Sequence, residues 1–523
     1  MTAPPTAAGA STATWHRLSP RMLLIHPVTE LTRALPALAG VFFAGHAGGH
    51  GLITSLLVAV GVVALSVTRW FTTRLLVTDE QVQLRHGLLR RRTVATRRDR
   101  IRTVDVTAHV LHRALGLSRV VVGTGTSDRK NEARIVLDGL TVGAAEALRR
   151  ELLHRSATAP AHPVGEAAAT ELARLHHRWI VLAPFTLSGV VTGLVVWGFV
   201  WRVQGESGVD LLHSGPLRSV GHGLDTLPTA LAVLMVIAAV VVFVAVTSVV
   251  GYLLAFWNFR LMRHEDGTLQ VTRGLLTTRA TSIERRRLVG VEISRPLSLR
   301  AVGGARTLSV ATGLRVGRGA EKGGEVLLPP APVSASRSVA GQVLATGAEA
   351  TGTGVTGSAV TATLHPHGRA ATRRRYARAL GGGVVLVVAA AVGWRTGGSF
   401  WAVPVALALL MASVPLAADR ASSLGHAHVD GALVTRYGSL LRRRVVLADH
   451  AVIGWTVRAT WFQRRVGVST LTATTAAGRQ SYRVVDVETP TGVALADGVT
   501  PGLLGPFLAA PSSARPTHPA TAR

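Results

Sequence analysis

The chain has 523 residues, with 57 basic and 28 acidic side chains and a formal net charge of +29. Only 16% of residues are charged and 48% are hydrophobic, whereas a soluble domain carries about a quarter charged residues. That balance excludes a purely aqueous protein and a disordered polyelectrolyte alike. The lack of any cysteine removes disulfides, thiolate zinc sites, iron–sulfur clusters and cysteine nucleophiles. All basic residues except Lys130 and Lys322 are arginine, a compositional bias that makes the basic excess weak evidence for any one partner.

Taken in chain order, residues 1–30 read as a disordered N-terminus. A membrane-crossing helix needs about 20 apolar residues. Leu31–Gly45 and Leu52–Phe71, joined by the turn-like His46–Gly51, read as a transmembrane hairpin (31–71). The first run is followed at once by another, which is not the pattern of a cleavable signal peptide. Residues 72–155 read as mostly β: Arg74–Val77, Val82–His86, Thr93–Thr96, Ile101–Thr107, Val120–Gly123 and Arg134–Leu137 are short strand-like runs. Val142–His154 then changes to helical spacing, with Thr141 as N-cap.

A linker (156–175) precedes a second hairpin (176–257) built from Trp179–Trp201 and Leu227–Trp257. A second β-rich segment (258–346), closed by a helix after Pro329–Pro332, leads to a linker (347–373). Ala379–Trp394 and Phe400–Ala418 give a third hairpin (374–418), followed by a third β-rich segment (419–510) and a disordered tail (511–523). In the third segment the closing stretch is read at Thr500–Ala509. The short connectors are poor in arginine, while residues 69–155 carry 18 basic against nine acidic side chains. The expected orientation therefore puts both termini and all large segments in the cytoplasm. The apolar runs hold no Asp, Glu or Lys, and only Arg33 and Arg69 close to their ends, so the spans read as anchors and a transporter or transporter accessory subunit is the weaker alternative.

The β-rich segments repeat. GLLRRR starts at Gly87, GLLTTR at Gly274 and GSLLRRR at Gly438; RALG ends at Gly116, RAVG at Gly303 and RRVG at Gly467. The glycine-to-glycine distance is 29 residues in all three copies. Trp70 and Trp257 each precede the first glycine by 17 residues, where the third copy has Ala421. Ile101, Leu288 and Val452 stand 15 residues before the second glycine, and Val104, Val291 and Trp455 stand 12 before it.

This pattern is a tryptophan at the membrane exit, a strand pair turning at Gly-Leu-Leu, a middle strand such as Arg100–Val104, and an Arg-x-x-Gly element. It resembles the bacterial pleckstrin-homology-like (PH-like) membrane proteins of the YdbS/YdbT type. The resemblance implies a multi-domain membrane protein with six transmembrane α-helices in three hairpins and three PH-like β-barrel domains, each with a C-terminal capping helix. It does not imply phosphoinositide binding and brings no catalytic residues. Copy three departs most from the pattern.

No Walker A string, HExxH or GxSxG is present. Gly123-Thr124-Gly125 and Gly317-Arg318-Gly319 lack the later glycine of a nucleotide loop and read as turns. His176-His177, His365-x-His367 and His426-x-His428 lack the three or four ligands of a zinc site; the second pair falls in a linker. Asp79, Glu80, Asp99 and Asp105 read as turn or exposed strand residues. The expectation is a non-enzymatic protein without cofactor or metal.

The arginine runs carry the functional expectation. Arg90, Arg91, Arg92, Arg97, Arg98 and Arg100 form the densest cluster, with Arg285, Arg286 and Arg287 in copy two and Arg442, Arg443 and Arg444 in copy three. Held beside an anionic leaflet, such residues gain about 1 kcal/mol each. They are candidate contacts to membrane lipids or an acidic partner, against the plainer reading of a solvated surface. No recognition helix accompanies them, so nucleic acid is not expected. The resulting expectation is a cytoplasmic-membrane protein whose domains act as interaction or assembly modules in envelope maintenance or stress tolerance. They would self-associate through exposed strand edges or join a shorter PH-like relative.

Overall fold

A computed structural model of the chain describes residues 16, 17, 19–25, 27, 28, 30, 51–78, 80–87, 92–98, 101, 103–123, 134–153, 169–186, 198, 202, 228–265, 267–313, 325–351 and 355–507. The chain divides into two compact units: residues 1–184, 188–287 and 312–315, and residues 185–187, 288–311 and 316–523.

In the first unit, β1 (His16–Arg17) flanks an antiparallel sheet of β2 (Arg74–Val77), β3 (Gln81–His86) and β4 (Arg92–Arg97), entered from helix α1 (Gly51–Thr72). Then come β5 (Thr103–His109), α2 (Val110–Ala114), β6 (Leu117–Gly123), β7 (Arg134–Thr141) and α3 (Val142–Leu153). Alternation puts Leu75, Val82 and Leu84 of one sheet against Val104, Val120, Val122, Ile135 and Leu137 of the other, in one buried cluster. Ala145, Leu148 and Leu152 of α3 close it from one helical face. Each fully buried aliphatic side chain contributes about 1.5–3 kcal/mol. The Thr141 hydroxyl accepts the Ala144 N–H at 3.3 Å and caps α3 as its sequence predicts.

The unit continues with β8 (Thr170–Arg174), α4 (Thr229–Phe256), β9 (Arg260–Arg263), β10 (Leu269–Arg273) and β11 (Thr277–Ile283). The second unit opens with β12 (Leu288–Pro296), α5 (Leu297–Ala301), β13 (Gly304–Ala311), β14 (Val326–Pro332) and α6 (Val333–Thr351). Helices α7 (Ser358–Thr361), α8 (Gly368–Arg395) and α9 (Ala402–Ser422) follow. The last part comprises β15 (Gly425–Val429), β16 (Ala432–Tyr437), β17 (Leu441–Ala448), β18 (Gly454–Arg458), α10 (Trp461–Arg465), β19 (Val468–Thr474), β20 (Ser481–Glu488) and α11 (Thr489–Val499).

The expected closed barrels are not formed among the described residues. A barrel would pair β4 with β5, β11 with β12 and β17 with β18; instead β5 pairs with β11 and β12 with β17, while β4 and β18 lie at sheet edges. One sheet runs β7-β6-β5-β11-β10-β9-β8 and another β14-β13-β12-β17-β16-β15, while β18-β19-β20 stands as a three-stranded sheet. The physical reason is that backbone ladders carry little sequence information, so a neighbouring copy's strand satisfies an open edge as well as the copy's own does. The core of the second unit shows the consequence. Leu433, Val445, Leu447, Leu471, Tyr482, Val484 and Leu495 enclose Val289 and Val310, contributed by β12 and β13.

Four helices are long and apolar enough to cross a membrane: Ile53–Thr72, Thr229–Phe256, Gly368–Arg395 and Ala402–Ser422. The run Leu31–Gly45 lies outside the described residues. Within Trp179–Trp201, the described beginning belongs to a 3-10 helix, His177–Phe185, with Leu182 and Ala183 buried and Pro184 unable to donate an N–H. Most of the remainder lies outside the described residues.

Other departures are local. The N-terminus expected to be disordered supplies β1 and also Met22 and Ile25, buried against Leu117. The linker 156–175 supplies β8, and 347–373 holds the end of α6, all of α7 and the start of α8. The third closing helix is Thr489–Val499 rather than Thr500–Ala509, with a proline in its first turn, where a missing N–H costs nothing.

Candidate functional site

The Gly-Leu-Leu turns are the starting point. Gly87, Gly274 and Gly438 have φ of 115°, 110° and 102°. A Cβ on Gly274 would lie 2.1 Å from the Thr277 carbonyl oxygen, and one on Gly438 2.1 Å from that of Leu441. Only glycine fits both the dihedral and the space. Each turn launches the strand that enters a sheet: β4, β11 or β17.

At the first junction β11 lies antiparallel to β5, with Arg279 opposite Thr107. At the second, β17 lies antiparallel to β12, with Arg443 opposite Ser294. Both arginines stand five residues past their own turn glycine, and both partners stand 20 past theirs. Two independent pairings thus share one register. The same positions also carry charge. Arg279 approaches Asp105 at 3.7 Å, and Arg443 approaches Glu292 at 3.3 Å, each acid standing 18 residues past its turn glycine. Asp105 is therefore a paired strand residue rather than an exposed one. Glu292 is fully buried and also accepts from Arg479 Nε at 2.9 Å.

The Arg-x-x-Gly element closes each junction. Arg113 Nη1 donates to the Leu275 carbonyl at 2.8 Å, and Arg300 Nη1 to the Ser439 carbonyl at 3.4 Å. Each acceptor is the residue after a turn glycine. Arg300 additionally shares the Asp419 carboxylate with Arg442, both at 2.7 Å.

The candidate arginines therefore have different surroundings. Arg442, Arg443 and Arg444 lie in β17: the first two pair with Asp419 and Glu292, and Arg444 Nη2 donates to the Ala362 carbonyl at 2.6 Å. Burial, then Arg436 and Arg337, hold the Arg444 guanidinium down to about 10. Arg98 donates to the Glu151 carbonyl at 2.6 Å, and Arg287 pairs with Glu284 at 2.6 Å. Arg97 and Arg286 are exposed, and the Arg285 stem packs over Gly267. The backbone of Arg92 belongs to β4; Arg90, Arg91 and Arg100 lie outside the described residues.

Two histidine pairs that look unrelated in the sequence come together. His365 bridges His426 backbone to backbone, and the His426 ring centroid lies 6.1 Å from that of His365 and 5.0 Å from that of His367. Burial and the two neighbouring imidazoles push His426 down to about 4, and burial also lowers His367, whose Nδ1 meets the Val485 carbonyl at 2.7 Å. Among the described residues no group of three or more His, Cys, Asp and Glu is arranged to hold a metal. Nearby, Asp486, fully buried, takes Arg374 and Arg375 from the first turns of α8 and Gln463 of α10. This anchor fixes the basic start of α8 to the β-rich part, so its apolar stretch begins past Arg378.

Residues 31–156 and 222–345 each match the family model of the bacterial PH domain. The chain contains bacterial PH-domain sequence in both stretches. Each matched stretch begins in or before an apolar helix and ends at the closing helix of a strand set. Residues 374–510 lie outside the matched stretches. No curated protein and no solved structure matches the chain.

Sequence reading missed Glu292, Asp419 and Asp486 as organising acids. One signal was available: Asp105 and Glu292 occupy the same offset from their turn glycines, as Arg113 and Arg300 do.

Proposed function

We propose that this chain is a non-enzymatic, multi-pass protein of the cytoplasmic membrane. Its three PH-like modules, the third formed by β15–β20 and α11, face the cytoplasm and work as assembly surfaces. The observation that carries this reading is the junction: a module's sheet is completed by a strand of the next module. Protein–protein strand addition is therefore the interaction these modules already perform. The six spans would include the run at 31–45 and the 179–201 region as membrane segments.

Exposed Arg97 and Arg286 support contact with anionic headgroups next to the spans. The apolar stretches 53–68, 229–256, 379–394 and 402–418 hold no Asp, Glu, Lys or Arg, which favours anchoring over transport. A role in envelope maintenance or stress tolerance follows from the family resemblance.

The lipid contact is tested with the full chain in nanodiscs of anionic or purely zwitterionic lipid, followed by amide hydrogen exchange. Stronger protection of 92–98 and 284–287 in anionic discs, reversed by salt, is the expected result. Equal protection in both refutes the lipid contact.

A further inference from the structure

The two junctions obey one rule, and the chain ends leave that rule unfinished. Strand β4 occupies the place that β11 and β17 hold in their copies, yet among the described residues it is the edge of its sheet. Strand β18 occupies the place of β5 and β12, and it is also an edge. We propose that β18 of one copy of this chain adds to β4 of a second copy, head to tail, in the register of the internal junctions. The proposal rests on reading the third module as a copy of the other two, not on the lipid contact.

That register sets Arg458 opposite Arg92, Val457 opposite Thr93, Thr456 opposite Val94, Trp455 opposite Ala95 and Gly454 opposite Thr96. Three observations at the β18 edge fit a missing partner strand. Gly290 of β12 is a glycine because a Cβ there would lie 2.2 Å from the Val446 carbonyl oxygen of the added strand. Gly454 stands at the equivalent place, 16 residues past its turn glycine, and a Cβ there would meet nothing within 4 Å. Open space therefore lies beside Gly454 where β17 lies beside Gly290, although the first junction has Thr103 at this place.

Apolar exposure follows the same logic. Val289 and Ile293 of the paired strand region are 6% and 4% exposed, whereas their equivalents Ile453 and Val457 are 64% and 47% exposed. The third observation is the Arg-x-x-Gly arginine. Arg113 and Arg300 each clasp the carbonyl after a turn glycine in the next copy. Arg464 holds that place in the third copy and is exposed. Two features do not recur: Thr456 stands where Asp105 and Glu292 supply a carboxylate, and Arg458 faces Arg92 where Thr107 and Ser294 each face an arginine, a like-charge pair that weakens the contact. The contact between copies lacks that ion pair and is weaker than the internal junctions, as a reversible association requires.

Because the donor edge and the acceptor edge differ, the contact is heterologous and propagates from copy to copy until a ring closes or growth stops. The cysteine-free sequence makes the test clean. Thr93→Cys and Val457→Cys, both exposed positions, are placed in one full-length chain and oxidised in native membranes. A ladder of disulfide-linked multimers is expected, with none from either single variant. Adding Gly454→Leu, whose Cβ has no neighbour within 4 Å, or Arg464→Glu lowers the ladder about tenfold, the effect of losing one charge-assisted hydrogen bond or its equivalent.

Several outcomes overturn the proposal: monomer only, a fast-migrating monomer linked within itself, dimers from a single-cysteine variant, or a ladder indifferent to Gly454→Leu. Crosslinking of Val457→Cys to a different polypeptide, and not to Thr93→Cys, overturns it as well. None of these outcomes bears on protection by anionic lipid, so the two readings fail separately.

Discussion

The β5–β11 junction and the β12–β17 junction share a register and differ in what holds them. In the first, Arg279 and Asp105 meet at 3.7 Å with the arginine one-third exposed, and Thr277 Oγ1 lies 2.8 Å from His109 Nδ1 at the surface. In the second, Glu292 is fully buried between Arg443 and Arg479, and Asp419 bridges Arg300 and Arg442. The backbone ladder is common to both, and the side chains have diverged from a screened surface pair to a desolvated cluster. A strand-addition interface thus keeps its geometry through the turn glycine and the ladder, while charge sets its strength.

The largest effect expected is on the second junction alone. Gly290→Val drives a side chain into the Val446 carbonyl, which must separate β12 from β17. It should abolish the cooperative thermal transition of the second unit, followed by hydrogen exchange across 441–448, and leave 277–283 protected. Unchanged protection of 441–448 would show that the close approach is not required.

Removing one acid from each junction sharpens the contrast. Glu292→Ala leaves two guanidiniums facing a buried site and should cost about 3–5 kcal/mol. Asp105→Ala breaks a partly exposed pair and should cost less than about 1 kcal/mol. Denaturant titration in detergent, with exchange monitored at each junction, measures both; equal costs would remove the distinction drawn here.

Acidification gives a graded effect, confined to the second unit. His426 of β15 packs against His365 and His367, with Asp486, Arg375 and Arg436 close to His367, and its folded value is about 4 against an ordinary 6.5. A base whose folded value is depressed binds fewer protons folded than unfolded between those two pH values. Stability therefore falls as pH drops through that window, by at most about 1.4 kcal/mol per pH unit. His426→Gln should flatten the pH dependence of the second unit's melting; a profile unchanged by the substitution would exclude His426 as its source.

Much of the fold was readable along the chain because its signals are local. Strand runs such as Arg74–Val77 and Val82–His86, the helix capped by Thr141 and the turn at Gly87 each depend on neighbours a few residues away. Strand β8 and α11 were missed because Thr170–Arg174 and Thr489–Val499 show only weak apolar periodicity; their pairing and packing stabilise them. The candidate site was less legible. Arg442, Arg443 and Arg444 look like Arg90, Arg91 and Arg92 in the sequence, yet the first set lies against Asp419, Glu292 and the Ala362 carbonyl.

The sequence by itself determined the threefold 29-residue spacing, the glycine turns, the apolar helices and the absence of thiol chemistry, since each follows from residue type and short-range order. Tertiary structure alone decided that β5 belongs with β11 and β12 with β17, and hence which arginines are structural. Ladder hydrogen bonds are made by backbone groups that every copy presents alike, so the choice of partner rests on long-range packing that no local pattern encodes.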